Sequence, residues 1–78
     1  MLAVQLSPRR KVWVSVSDDT FPNRGGFFCE VFNDPDGESR VDSFTIGKNE
    51  IPMSVSDANE RRKKAMVIAN QRTKYLFA

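Results

Sequence analysis

The order of the apolar patterns constrains this chain more than any other feature of its sequence. Three short runs typical of β-strands, residues 11–17, 27–32 and 40–46, are followed by one helical run that opens at Ser54. The runs are separated by segments rich in glycine, proline and aspartate, which favour turns. We therefore predict an α+β fold, a single β-β-β-α domain over residues 1–78, with a three-stranded antiparallel sheet packed on one C-terminal helix. The alternating residues 2–6 would form a short fourth strand at the N-terminus or an arm laid on the core.

The first strand predicts which sheet face packs on the helix. Its three valines alternate with Lys11, Trp13 and Ser15, and side chains two residues apart share a face. If the valines face the helix, Trp13 faces outward, and an outward Glu30 would place Phe28 and Phe32 on that same side. Three such rings together are unusual for a solvated surface. They would form a stacking platform for bases or a hydrophobic partner site, unless the N-terminal arm or the apolar C-terminal tail covers them.

The predicted helix carries most of the positive charge. Residues 53–78 contain six Lys/Arg and two Asp/Glu, whereas residues 1–52 contain six and eight. Ser54 with Asp57 fits a helix-start motif, and a block of four cations follows, with Arg61 and Lys64 on its outer side. Such a block can contact phosphates, although a helix face that is simply exposed to solvent would show the same residues. Val67 points away from the apolar stripe and has no role in the predicted core.

Several kinds of chemistry are missing from the sequence. It has no histidine and a single cysteine, Cys29, so the commonest general base is absent and a zinc site cannot be assembled. The carboxylates Asp34, Asp36 and Glu38 cluster at a hairpin turn, where solvation accounts for them without a metal. We expect no enzymatic activity, no metal or cofactor, and no small-molecule substrate. The lone cysteine and the absence of an apolar stretch of membrane-spanning length lead us to expect a cytoplasmic protein with no membrane contact.

Four short segments resemble the N-terminal arm-binding, AP2-like DNA-binding domain of tyrosine recombinases (phage integrases). They are Gly26-Phe27-Phe28-Cys29, Asp34-Pro35-Asp36-Gly37, Phe44-Thr45-Ile46-Gly47-Lys48 and Ser54-Val55-Ser56-Asp57-Ala58. In that family the three-stranded sheet enters the major groove of DNA while the helix packs behind it. The resemblance implies that six residues lie on or beside a docking sheet: Lys11, Trp13, Arg24, Arg40, Thr45 and Lys48. Glu30 and Asp42 depart from this pattern, since negative charge in the docking strands would repel phosphate.

Two functional hypotheses follow. In the first, the chain is a small nucleic-acid-binding protein of phage or mobile-element origin that binds DNA or RNA through its sheet, with help from Arg61 and Lys64. In the second, it is a phage- or plasmid-encoded interaction module that inhibits a host defence protein, as anti-CRISPR proteins do. The partner-binding residues would then be Trp13, Phe28, Phe32, Asp34, Asp36, Glu38 and Val67.

Overall fold

The computed structural model describes residues 1–78 as one four-stranded antiparallel sheet covered on one face by one long helix. The strands are β1 (Leu2–Ser7), β2 (Arg10–Asp18), β3 (Phe27–Phe32) and β4 (Arg40–Ile46), followed by helix α1 (Ala58–Leu76). They form a meander in which neighbours in sequence are neighbours in the sheet. A single turn of 3₁₀ helix, Lys48–Glu50, connects β4 toward α1. None of its helices combines the length and the apolar character that crossing a membrane requires.

The strand register places the apolar residues of all four strands on one face. Val14 pairs with Leu2 on one side and with Val31 on the other, so a single ridge of apolar side chains crosses the sheet. The buried core on this face comprises Val4, Val12, Val14, Val16, Phe27, Cys29, Val31, Ile46 and Ile51, with Ala65 and Ala69 of the helix. The two fully buried alanines let α1 approach the sheet closely, because their side chains add little thickness.

The strand predictions for residues 27–32 and 40–46 are confirmed, and residues 2–6 belong to a fourth strand of the sheet. The predicted helix start is wrong by several residues. Asp57 is the N-cap, and its carboxylate accepts a hydrogen bond from the Glu60 amide at 3.0 Å. The residues before it lie outside the helix, and among them the carbonyl of Val55 accepts a hydrogen bond from Arg61 at 2.8 Å. The Ser54 hydroxyl therefore caps nothing.

Candidate functional site

The face of the sheet opposite α1, here called the outer face, is the side of the sheet on which the helix does not pack. Paired residues form rows across it. One row contains Trp13 and Phe32, a second contains Ser15, Glu30 and Ser43, and a third contains Ser17, Phe28 and Thr45. The prediction that all three rings share this face is confirmed by the register.

The exposure of those rings differs from the prediction at one position. Trp13 and Phe28 are half-buried, whereas Phe32 is only 9% exposed. The cover is the β3–β4 turn: a Cβ built on Gly37 would lie 3.8 Å from Cε1 of Phe32 and 3.3 Å from Cε of Met1. Gly37 has a φ of +76°, a conformation that glycine adopts without strain. This backbone shape directs the turn back over the ring, so Phe32 is a buried support for the face and not a contact residue.

Neither chain end covers the outer face in the way considered from the sequence. β1 extends the sheet and directs Leu2, Val4 and Leu6 toward the helix side. At the other end of the chain, Phe77 packs against the core. The guanidinium carbon of Arg10 lies over the Phe77 ring, 4.9 Å from the ring centroid. Trp13 and Phe28 therefore keep a solvent-facing side.

Glu30 of β3 and Asp42 of β4 would repel a phosphate on the outer face less than the sequence suggested. Glu30 forms an ion pair with Arg40 at 3.1 Å, so the centre of the outer face carries no net charge. Asp42 pairs with Val31, whose side chain is in the core, and so lies on the helix side of the sheet edge. Lys11 is exposed beyond the Trp13 row and forms no ion pair, so its ammonium is free to bind an anion.

The remaining sheet residues named from the resemblance lie at the opposite end of the outer face. Thr45 is exposed in the Phe28 row, and Lys48 is exposed just after β4. Arg24 lies at this end too, but it lines a groove of about 300 Å³ together with Asp18, Asp19 and Arg61. It therefore borders α1 and does not lie on the outer face. Lys48 borders the same groove, since its Cβ would lie 3.5 Å from a Cβ built on Gly25 and its carbonyl accepts from Arg61. Thr45 is therefore the residue of this group that lies beside Phe28.

The basic block on the helix is divided between structural and free cations. Arg61 donates to the backbone carbonyls of Val55, Lys48 and Pro52 at 2.8, 3.1 and 3.3 Å, and Arg62 donates to that of Val16 at 2.7 Å. Lys64 has no such partner and is exposed, but it lies on the far side of α1 from the sheet. The structure does not bring Arg61 and Lys64 together with the outer face, so their contribution to a ligand bound there is not supported.

One of the three carboxylates in the β3–β4 turn, that of Asp34, stabilises the turn itself. Asp34 accepts from the amides of Glu38 at 3.0 Å and Ser39 at 2.8 Å. These two backbone hydrogen bonds hold the pKa of the Asp34 carboxyl below its usual value of 3.8. Asp36 and Glu38 are exposed. Of the three carboxylates proposed for partner binding, only the latter two are therefore free to reach a partner.

The one cysteine is buried in the middle of the core. Burial raises the pKa of the Cys29 thiol to about 11, so almost no reactive thiolate forms near neutral pH. The structure contains no group of three or more Cys, Asp or Glu side chains arranged to hold a metal ion.

Sequence reasoning missed the structural roles of Arg61 and Arg62 and the cover over Phe32. It also missed the role of Arg72, which donates to the Thr45 carbonyl and contacts the Glu50 carboxylate. All of these depend on backbone carbonyls or turns that meet the side chain only in three dimensions, and no spacing rule predicts them. Comparisons with family models, with curated proteins and with solved structures find no match to this chain.

Proposed function

We propose that this protein binds nucleic acid through the outer face of its sheet, with Trp13 and Phe28 as the contact rings. The observation that supports this most directly is that two partly exposed aromatic rings lie on the face of the sheet opposite α1. Flat aromatic surfaces on a sheet can stack on bases, and each stacked base contributes about 1–3 kcal/mol. The hydroxyls of Ser15, Ser17, Ser43 and Thr45 surround the rings and offer hydrogen bonds to base edges or sugars.

The spacing of the two rings favours a single strand over a duplex. They lie two rows apart, roughly 14 Å at about 3.4 Å of rise per residue, with the neutral Glu30–Arg40 pair between the rows. Stacking on both rings requires bases that are free of a complementary strand. Lys11, beyond the Trp13 row, would then contact a phosphate at that end of the strand. The resemblance to arm-binding domains predicts duplex DNA instead, so both forms belong in the experiment.

The test is fluorescence anisotropy with labelled twelve-nucleotide DNA and RNA single strands and a DNA duplex at low salt, supported by quenching of Trp13. We expect binding that weakens linearly in log–log plots against salt. Trp13→Ala and Phe28→Ala should each weaken it about fivefold or more, and Lys11→Glu should weaken it and reduce the salt dependence. The matched control is Phe21→Ala, which removes a ring that is 89% exposed and lies outside the sheet. Absence of binding to all three ligands at low salt would refute the proposal.

A second candidate is the protein-interaction module, as an inhibitor encoded by a phage or plasmid. It is favoured by the Glu30–Arg40 pair, which leaves the centre of the outer face without net charge, as is common in the centre of protein interfaces. Charge reversal separates the candidates. Asp36→Lys with Glu38→Lys should weaken a protein complex and leave nucleic-acid binding equal or stronger, whereas Lys11→Glu should weaken nucleic-acid binding.

A further inference from the structure

The solvent side of α1 carries a second apolar surface that the outer face does not explain. Val67 is 57% exposed at the middle of the helix, although a polar residue would fit there without any loss of core packing. Beside it, a groove of about 250 Å³ runs between α1 and the segment after β4, lined by Glu50, Ile51, Pro52, Lys64, Val67 and Ile68. Met53, which follows this segment, is 79% exposed. The surface formed by these seven residues is called the helix groove below.

The walls of the helix groove are fixed in place by two arginines of α1. Arg61 donates to the carbonyls of Lys48, Pro52 and Val55, which ties the connecting segment to the first half of the helix. Arg72 contacts the Glu50 carboxylate and donates to the carbonyl of Thr45 at 2.9 Å, which ties the same segment to the second half. Ile51, at the floor, is fully buried. A groove that is already formed loses little conformational entropy when a ligand binds.

The charge around the helix groove is positive. Its one carboxylate, Glu50, is neutralised by Arg72, and Lys63 is paired with Glu60 at 3.4 Å. Lys64, which lines the groove, and Lys74, which is exposed seven residues after Val67 on α1, form no ion pair. An occupant with an apolar anchor and carboxylates beside it would satisfy both the apolar wall and the free cations.

From these features we propose that the helix groove binds an acidic segment of a partner protein. An aliphatic or aromatic side chain of the segment packs on Val67, Pro52 and Ile68, while neighbouring Asp or Glu residues pair with Lys64 and Lys74. Apolar anchors surrounded by charged pairs are the usual arrangement for a short segment in a surface groove. This site lies on the opposite side of the molecule from the outer face and does not depend on what the outer face binds.

The experiment uses random twelve-residue peptides displayed on phage, selected on the full-length protein and then synthesised for anisotropy titrations. We expect the selected peptides to combine Asp or Glu with a Leu, Ile, Phe or Trp anchor. Val67→Asp and Lys64→Glu should each weaken their binding at least tenfold. Both residues are exposed, so the variants should fold, and unchanged thermal unfolding would verify this.

Two matched controls distinguish the helix groove from the rest of the surface. Phe21→Asp places the same charge at an exposed apolar residue elsewhere, and Lys11→Glu reverses a cation on the outer face; neither should change peptide affinity. The proposal is overturned if no peptide is enriched, if the enriched peptides lack acidic residues, or if Val67→Asp leaves their binding unchanged. It is also overturned if Lys64→Glu with Lys74→Glu weakens oligonucleotide binding as strongly as Lys11→Glu, because the helix would then be a phosphate-binding surface.

Discussion

Arg72 shows how one side chain can hold three elements of a small fold together. Its guanidinium contacts the Glu50 carboxylate, donates to the Thr45 carbonyl of β4 and lies 5.7 Å from the ring centroid of Phe44. The sequence places Arg72 near the end of the helix, where a cation also suits the helix dipole. Nothing in the spacing indicates the carbonyl or the carboxylate that it meets. The helix position of Arg72 could thus be predicted, whereas its bonding depends on the path of residues 47–52.

The Glu50 carboxylate should make stability depend on acid pH. The hydrogen bond from Arg72, together with one from the Gly47 amide, holds its pKa below the usual 4.5. A carboxyl group with a depressed pKa in the folded state adds stability above its unfolded pKa, and this is lost as pH falls through the folded value. We expect urea denaturation to give a lower free energy of unfolding at pH 3 than at pH 7. Glu50→Gln should be less stable at pH 7 by about 1 kcal/mol, given the partial exposure of the pair, and should lose less on acidification.

The control for Glu50 is Glu38→Gln, which removes an exposed carboxylate that accepts no hydrogen bond and forms no ion pair. It should leave stability at both pH values close to that of the unchanged protein. If Glu50→Gln and Glu38→Gln have the same acid dependence, the Arg72 contact contributes nothing in solution.

Among the secondary-structure elements, the strands could be predicted from the pattern of residue types, whereas the start of the helix could not, because two residues compete for the N-cap position. Aromatic and β-branched residues defined β3 to the residue, and the predicted run 40–46 matches β4, whereas the alternating run 11–17 fell one residue short of β2 at each end. The helix start was misplaced because Ser54 and Asp57 both fit a capping position, and only the structure shows that Asp57 accepts from the Glu60 amide. Asp57→Ala should therefore destabilise the protein by about 1 kcal/mol, while Ser54→Ala should change its stability by less than about 0.3 kcal/mol. Chemical denaturation of the two variants tests this, and equal losses would contradict the cap assignment.

The outer edge of β4 is protected by side chains. Asp42 accepts from the Ser43 amide at 2.8 Å, and Arg72 occupies the Thr45 carbonyl. The Ser43 amide and the Thr45 carbonyl are backbone groups of the last strand of the sheet, to which an added strand would have to bond. Natural sheets commonly block such edges.

We expect Asp42→Ala to increase self-association at high concentration, measured by sedimentation velocity. Asp36→Ala, at an exposed carboxylate in the β3–β4 turn, is the control and should sediment as the unchanged protein does; equal behaviour of the two variants would show that the edge needs no such protection.

For the whole molecule, the important property is that one thin core separates two surfaces of different character. The outer face has aromatic rings, hydroxyls and a centre without net charge, whereas the helix groove has an apolar wall and unpaired cations. From the sequence we predicted the aromatic rings on the sheet and the basic helix separately, but we assigned both to one binding site. That combination was wrong in geometry, because a helix packed on a sheet directs its solvent side away from the opposite sheet face.

This separation predicts that the two surfaces act independently. An oligonucleotide stacked on Trp13 and a peptide bound at Val67 would have the full thickness of the sheet and the helix between them, so neither could contact the other's site. At saturating peptide, the affinity for the oligonucleotide should change by less than about twofold, because screened charges beyond about 10 Å interact weakly. Anisotropy titrations of labelled oligonucleotide with and without peptide measure this, with Trp13→Ala expected to weaken only oligonucleotide binding and Val67→Asp only peptide binding. Mutual exclusion of the two ligands would mean that they share one surface, and the division of the molecule into two independent faces would then be wrong.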